Sequence, residues 1–171
     1  MITSYEVRAR KFANDIYPYI NNCKSPFEFE TAVSRFNRIN HRAVRVAYGQ
    51  TRVALITSDY VLKIDYGTRS SLFGGCENEY QAYQKAYHDG FAYLFAKISP
   101  VMVKERVFYI MPRIERIGIE FNGFDEAWDV VKSDDERDYL YDNFSDLHHE
   151  NFGWKHGKPV IVDYACCSRR D

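Results

Sequence analysis

The last quarter of the chain restricts its fold most. Ser145-Asp146-Leu147-His148-His149-Glu150-Asn151 is polar and reads as a loop. Gly157-Lys158-Pro159-Val160-Ile161-Val162-Asp163-Tyr164-Ala165 reads as a turn entering a mostly aliphatic strand that ends on an aspartate. Asp and Asn favour turns because their side chains bond nearby backbone, so each of Asp146, Asn151 and Asp163 taken singly is a loop former. Their order, with a lysine and a glutamate upstream, makes them a set.

Tyr60-Val61-Leu62-Lys63-Ile64 alternates apolar and polar residues and is rich in strand formers, which predicts a strand carrying Lys63. Ala43 to Tyr48 and Thr51 to Thr57 predict two more strands, joined at Gly49-Gln50 as a two-residue hairpin connection. Glu77 to His88 predicts a helix stopped by Asp89-Gly90, with Tyr80, Tyr83 and Tyr87 sharing one face. Pro100 to Lys104 and Val107 to Met111 predict a hairpin turning at Glu105-Arg106.

Two helices precede these strands. Ser4 to Asn22 carries Val7, Phe12, Ile16 and Tyr19 at roughly helical spacing. Ser25-Pro26-Phe27-Glu28 is a capping-box pattern with proline at the first helical position, opening a helix that runs to Asn40. Phe124 to Lys132 predicts a short helix, and Ser133-Asp134-Asp135-Glu136 caps another that ends near Phe144.

Read together, these residues resemble the protein-kinase-like superfamily, which includes protein kinases and aminoglycoside phosphotransferases. The resemblance covers roughly residues 43 to 165. It implies an α+β, two-lobe, protein-kinase-like fold with an antiparallel five-stranded N-lobe sheet and a strongly reduced C-lobe, preceded by two N-terminal helices. Residues 1–40 would be a helical extension and 41–171 the minimal kinase-like domain, with the N-lobe about 41–111, the hinge 112–115 and the C-lobe 116–171. The family's roles fall on this chain as follows. Lys63 would reach the α- and β-phosphates of ATP, held by Glu79, with Glu77 the runner-up. Asn151 and Asp163 would hold Mg²⁺, and Asp146 would orient the acceptor hydroxyl. Met111-Pro112-Arg113-Ile114-Glu115 resembles the hinge that reads adenine, through the Pro112 carbonyl and the Ile114 N–H. Gly49 stands alone where the family has a glycine-rich phosphate loop.

The chain departs from that pattern in several places. Phe144 and Ser145 stand where protein kinases usually have His-Arg, and Tyr164-Ala165 replaces Phe-Gly. His148 is more like the aminoglycoside and choline phosphotransferases. The short stretch after Asp163 leaves no room for an activation segment, a cut that resembles small kinase-like proteins of bacteriophages and prophages.

The implied function is an ATP- and Mg²⁺-dependent phosphotransferase, a small Ser/Thr kinase acting on a protein, a host factor if the origin is viral. The alternatives are a pseudokinase-like binding module that regulates a host protein, and a small-molecule phosphotransferase. Residues 4 to 40 are the candidate surface for a partner or a homodimer.

Composition sets the outer bounds. With 171 residues, the chain is one domain or one split into two lobes. A formal net charge of −1 creates no field to attract nucleic acid or an acidic membrane. No run approaches the roughly 18 apolar residues of a membrane span, and the N-terminus does not read as a signal segment, so a cytoplasmic location is expected. Cys23, Cys76, Cys166 and Cys167 form no Cys-x-x-Cys pair and suit a reducing compartment. His148, His149, His156, Cys166 and Cys167 match no common zinc spacing, and Ser145 lacks the nucleophile elbow of a hydrolase. The 14 Tyr and 12 Phe point to an aromatic core with hydroxyls at its margin.

Overall fold

The computed structural model describes residues 4–49, 51–66, 75–116, 131, 133–144, 147, 151–155 and 158–164. They divide into two compact units, Met1–Cys76 with Ile98–Arg113, and Glu77–Lys97 with Ile114–Asp171.

The first unit opens with α1 (Ser4–Ile20) and α2 (Pro26–Asn40). The capping box forms as its pattern requires: Ser25 Oγ accepts from the Glu28 N–H, and the Glu28 carboxylate accepts from the Ser25 N–H. His41, in the left-handed region at φ 50°, ends the helix. On α1 the buried stripe is Ala9, Phe12, Ala13, Ile16, Tyr17 and Ile20, spaced three and four apart. Val7 is 57% exposed, so the apolar face is offset from the one its position predicts.

Five antiparallel strands follow: β1 (Arg45–Tyr48), β2 (Arg52–Ile56), β3 (Tyr60–Asp65), β4 (Ser99–Val103) and β5 (Arg106–Pro112), in the order β1-β2-β3-β5-β4. On β3 the period of two sends Tyr60, Leu62 and Ile64 to one face and Val61, Lys63 and Asp65 to the other. The first face meets the helices. Phe12, Ile16, Ile20, Phe29, Val33 and Phe36 pack with Val53, Leu55, Leu62, Ile64, Phe108 and Ile110 in one buried cluster. At about 1.5–3 kcal/mol for each fully buried large side chain, these two helices are part of the sheet's core.

The β4–β5 hairpin turns at Lys104-Glu105, with Lys104 at φ 52° and Val103 paired to Arg106, one residue earlier than the sequence predicts. Arg106 belongs to the strand because its side chain has a task there. Its guanidinium donates to the carbonyls of Ile20 (2.6 Å), Asn21 (3.3 Å) and Cys23 (3.4 Å), closing the C-terminal end of α1. It also lies 5.3 Å from the centre of the Phe29 ring. Arg106→Ala is expected to lower stability by about 1.5–3 kcal/mol, the usual range for bonds to a charged group, read as a shifted urea midpoint at constant slope.

In the second unit, α3 (Cys76–His88) continues from the first and closes with a Schellman motif. The Phe91 N–H bonds the Ala86 carbonyl (2.8 Å), the Gly90 N–H bonds that of Tyr87, and Gly90 takes φ 86°. α4 (Asp134–Asn143) is capped by Ser133 with a reciprocal bond from Glu136, as its sequence predicts. β6 (Glu115–Arg116), β7 (Phe152–Lys155) and β8 (Lys158–Ile161) form a second antiparallel sheet in that order. The core here is aromatic: Phe91 stacks on Tyr139 at 4.2 Å, and Phe95 meets both Phe144 and Tyr164. The helix predicted over 124–132 lies outside the described residues. Among the described residues no helix is long and apolar enough to cross a membrane.

Candidate functional site

Few polar side chains are buried among the described residues, and three of the sequence-predicted site residues are among them. Among the described residues the buried polar or charged ones are Glu6, Thr51, Lys63, Glu79 and Asn151. Burying such groups is costly without compensation, so three of these five falling on positions chosen for chemistry favours a site over solvated surface charge.

Lys63 is 8% exposed on the face of β3 turned away from α1 and α2. Its cross-strand neighbours are Ala54 and Tyr109. Glu79 is fully buried. The inner stripe of α3 is Cys76, Glu79, Ala82 and Ala86, whereas Tyr87 is 66% exposed. The three tyrosines therefore do not form the buried face. Small residues let the helix approach its surroundings closely, and Glu79 stands in their row. Glu77 is exposed and accepts a hydrogen bond from Gln81 Nε2 (3.1 Å), an ordinary surface contact. Of the two glutamates, Glu79 is therefore the buried one and Glu77 the exposed one.

The start of α3 is fastened to the end of β3. Asp65 Oδ1, two residues past Lys63, accepts a 2.8 Å bond from the N–H of Cys76, the first residue of the helix. A carboxylate at a helix N-terminus is also favoured by the helix dipole. At Gly75 a Cβ would stand 2.8 Å from Asp65 Oδ2, so a larger residue there would displace the Asp65 carboxylate from its bond to the helix. Sequence reasoning missed this anchor; an Asp closing a strand and a Gly just before a helix were its visible marks.

Asn151 and Asp163 are brought together within the second unit. Asn151 Nδ2 donates to the Asp163 carbonyl at 2.6 Å, and the Val162 N–H donates to the Asn151 carbonyl at 2.7 Å. Asn151 is 6% exposed, and its Oδ1 is buried with no hydrogen-bond partner among the described residues. Beyond Asp163, Tyr164 is fully buried, donates its hydroxyl to the Ala96 carbonyl (2.8 Å) and packs edge-on against Phe95. The Ala96 N–H in turn bonds the Ile161 carbonyl (2.8 Å). The backbone at Asp163 is held on both sides.

An orphaned amide oxygen, on a side chain bonded to the main chain of the part-exposed Asp163, puts hard oxygen donors on neighbouring residues. Such donors suit Mg²⁺, which takes one or two protein ligands and fills the rest of its octahedron with phosphate and water oxygens. Among the described residues no group of three or more His, Cys, Asp or Glu could hold a metal ion. The residues present fit a shared, open Mg²⁺ site.

The remaining predicted positions are plainly placed. Asp146 lies outside the described residues, as do Ser145, His148, His149, His156, Cys166 and Cys167. Gly49 lies in the β1–β2 connection, which spans residues 49–51 instead of the two expected. An added Cβ there would meet nothing within 4 Å and no left-handed φ requires glycine, so the chain itself makes no demand for one. Met111 is 3% exposed, paired with Val61 at the end of β5. Ile114, half-buried, begins the second unit's share of the chain immediately after Arg113. Lys63 belongs to the first unit; Glu79, Asn151 and Asp163 belong to the second.

No protein-family profile matches the chain, and no curated protein is significantly similar to it. Among solved structures, a Legionella pneumophila kinase, Lpg2603, bound to IP6 is similar at 17% identity and a TM-score of 0.45, over 77% of this chain and 50% of that one. The choline kinase LicA from Streptococcus pneumoniae is similar at 13% identity and a TM-score of 0.42, over 82% of this chain and 69% of that one. The chain thus spans half the length of the Legionella kinase. At these values neither likeness assigns a family, and function has to be read from the residues themselves.

Proposed function

We propose that this chain is an ATP- and Mg²⁺-dependent phosphotransferase. The observation that carries the proposal is the buried, unpartnered Oδ1 of Asn151 next to Asp163. A buried acceptor left unmet costs about 1–3 kcal/mol, and a cation ligand restores that loss. Asn151 Oδ1 and the Asp163 carboxylate would hold Mg²⁺, which when bound neutralises charge on the nucleotide's phosphates. Lys63 binds the α- and β-phosphates, and Glu79 keeps its ammonium in one direction. The Pro112 carbonyl and Ile114 N–H read the adenine edge. Asp146 orients the acceptor hydroxyl and takes its proton as the oxygen bonds the γ-phosphorus and the bond to the departing ADP oxygen breaks. The acceptor we assign is a Ser or Thr hydroxyl on a protein.

A second reading is a binding module that keeps the scaffold without transfer. The β1–β2 connection favours it, because Gly49 stands alone and a side chain would fit there. Phosphate cover from backbone N–H groups is thin in that case.

Thermal unfolding with and without Mg·ATP tests the nucleotide claim. At about 100 times the dissociation constant, saturation should stabilise the protein by roughly 2.7 kcal/mol. A folded protein that shows no shift at millimolar Mg·ATP would remove the nucleotide from both readings. Transfer of label from γ-labelled ATP to proteins of a cell lysate then separates enzyme from binding module.

A further inference from the structure

The first unit contains a cleft of about 650 Å³ that no step of the proposed chemistry uses. Small-molecule sites span roughly 300–1,000 Å³. One wall is a face of α1, where Arg8, Lys11 and Asp15 succeed one another at helical spacing. Arg42, in the connection from α2 to β1, forms a second wall, and the β2–β3 turn at Thr57–Asp59 forms a third. Phe12 and Tyr60 lie beneath, both buried, with ring centres 5.9 Å apart.

The charges are unevenly matched. Arg8 Nε donates to Asp59 Oδ2 at 2.9 Å, so that carboxylate is already neutralised. Lys11 and Arg42 enter no ion pair among the described residues. Asp15 is the one carboxylate in the lining left to set against these two cations. Burial pushes the Tyr60 phenol above its usual range and Asp59 adds to this, while Arg42 and Arg8 pull it back, and all four residues line the cleft. Two guanidinium forks and an ammonium around a concave site with an aromatic base suit a phosphate group, which guanidinium recognises in bidentate fashion.

We propose that this cleft binds a small phosphorylated anion, at a site separate from Lys63. Lys11 and Arg42 supply charge to the phosphate, and Arg8 shares its fork between the ligand and Asp59. The proposal does not rest on the chain being a phosphotransferase.

Pyrophosphate, which carries the charge and no nucleobase, is the probe. Calorimetric titration at low salt uses the full chain carrying Lys63→Ala, so that the candidate nucleotide site makes no contribution. One site is expected, with an affinity that falls as salt is raised. Adding Lys11→Glu and Arg42→Glu should weaken it at least about tenfold. Both side chains are exposed, so the thermal midpoint should be kept; Lys11→Gln with Arg42→Gln serves if charge reversal harms folding. Failure of the Lys63→Ala protein to bind pyrophosphate would overturn the proposal. So would affinity that survives neutralisation of Lys11 and Arg42, or that is matched by sulfate at equal ionic strength.

Discussion

Asn151→Ala should cut ATP-dependent phosphoryl transfer by about 10²–10³-fold while costing the free protein only about 1 kcal/mol of stability. The asymmetry follows from the two ends of one side chain. The substitution removes the Nδ2 bond to the Asp163 carbonyl, which weakens the fold, but it also removes a buried oxygen that had no partner, which relieves it. The two effects partly cancel for stability and add for function. The Mg²⁺-dependent part of nucleotide binding should be lost with the rate. Asp146→Asn provides the contrast, since a group that acts on the acceptor alone should lower the rate by about 10²–10⁴-fold with Mg·ATP affinity nearly unchanged. Denaturant titration, Mg²⁺-dependent nucleotide titration and single-turnover transfer measure the three quantities. An Asn151→Ala protein that binds Mg·ATP like the wild type would show that the oxygen is not a cation ligand.

Removal of residues 1–40 should unfold the first unit. The sheet face formed by Val53, Leu55, Leu62, Ile64, Phe108 and Ile110 would lose Phe12, Ile16, Ile20, Phe29, Val33 and Phe36 together. Truncating one buried phenylalanine to alanine costs about 3–5 kcal/mol, and whole domains are stable by about 5–15 kcal/mol. Three such losses, together with Ile16, Ile20 and Val33, exceed what a single sheet can absorb. The chain 41–171 is expected to be insoluble, or to bind a hydrophobic dye and melt without a cooperative transition. A shortened chain that melts cooperatively and still responds to Mg·ATP would show that the helices are dispensable.

Much of this architecture was legible locally, because its signals are local. The Ser25 and Ser133 capping boxes each depend on four adjacent residues and formed as read. The alternation around Lys63 located β3 to within a residue, and five antiparallel strands follow. What escaped was settled by contacts distant in sequence. Arg106 looked like a turn residue until the carbonyls ending α1, more than 80 positions away, claimed its guanidinium. The tyrosines of α3 marked a plausible apolar face, yet Ala82 and Ala86 are the buried ones, because close packing favours the smaller side chains. The second sheet was half-missed: the strand ending at Ile161 was recognised, whereas its partner Phe152–Lys155, which pairs with it antiparallel, was not. At the site, Asn151 and Asp163 could be chosen from residue type and order, but the idle oxygen and the anchoring of Tyr164 could not.

That anchoring has a consequence for control. With the Tyr164 hydroxyl bound to the Ala96 carbonyl and its ring against Phe95, the segment carrying Asp163 has no slack. Moving the backbone at Asp163 would strain a buried hydroxyl bond and an aromatic socket at Tyr164, a change on the scale of local unfolding. The entropy of placing that main chain is spent during folding, so a cation held there, as proposed, would meet a backbone already in position. In the proposed phosphotransferase the main chain at the cation ligand would then have no withdrawn position to switch to. Restraint has to come from what reaches the site: the supply of nucleotide, the presentation of the acceptor, or an anion held in the cleft beside α1.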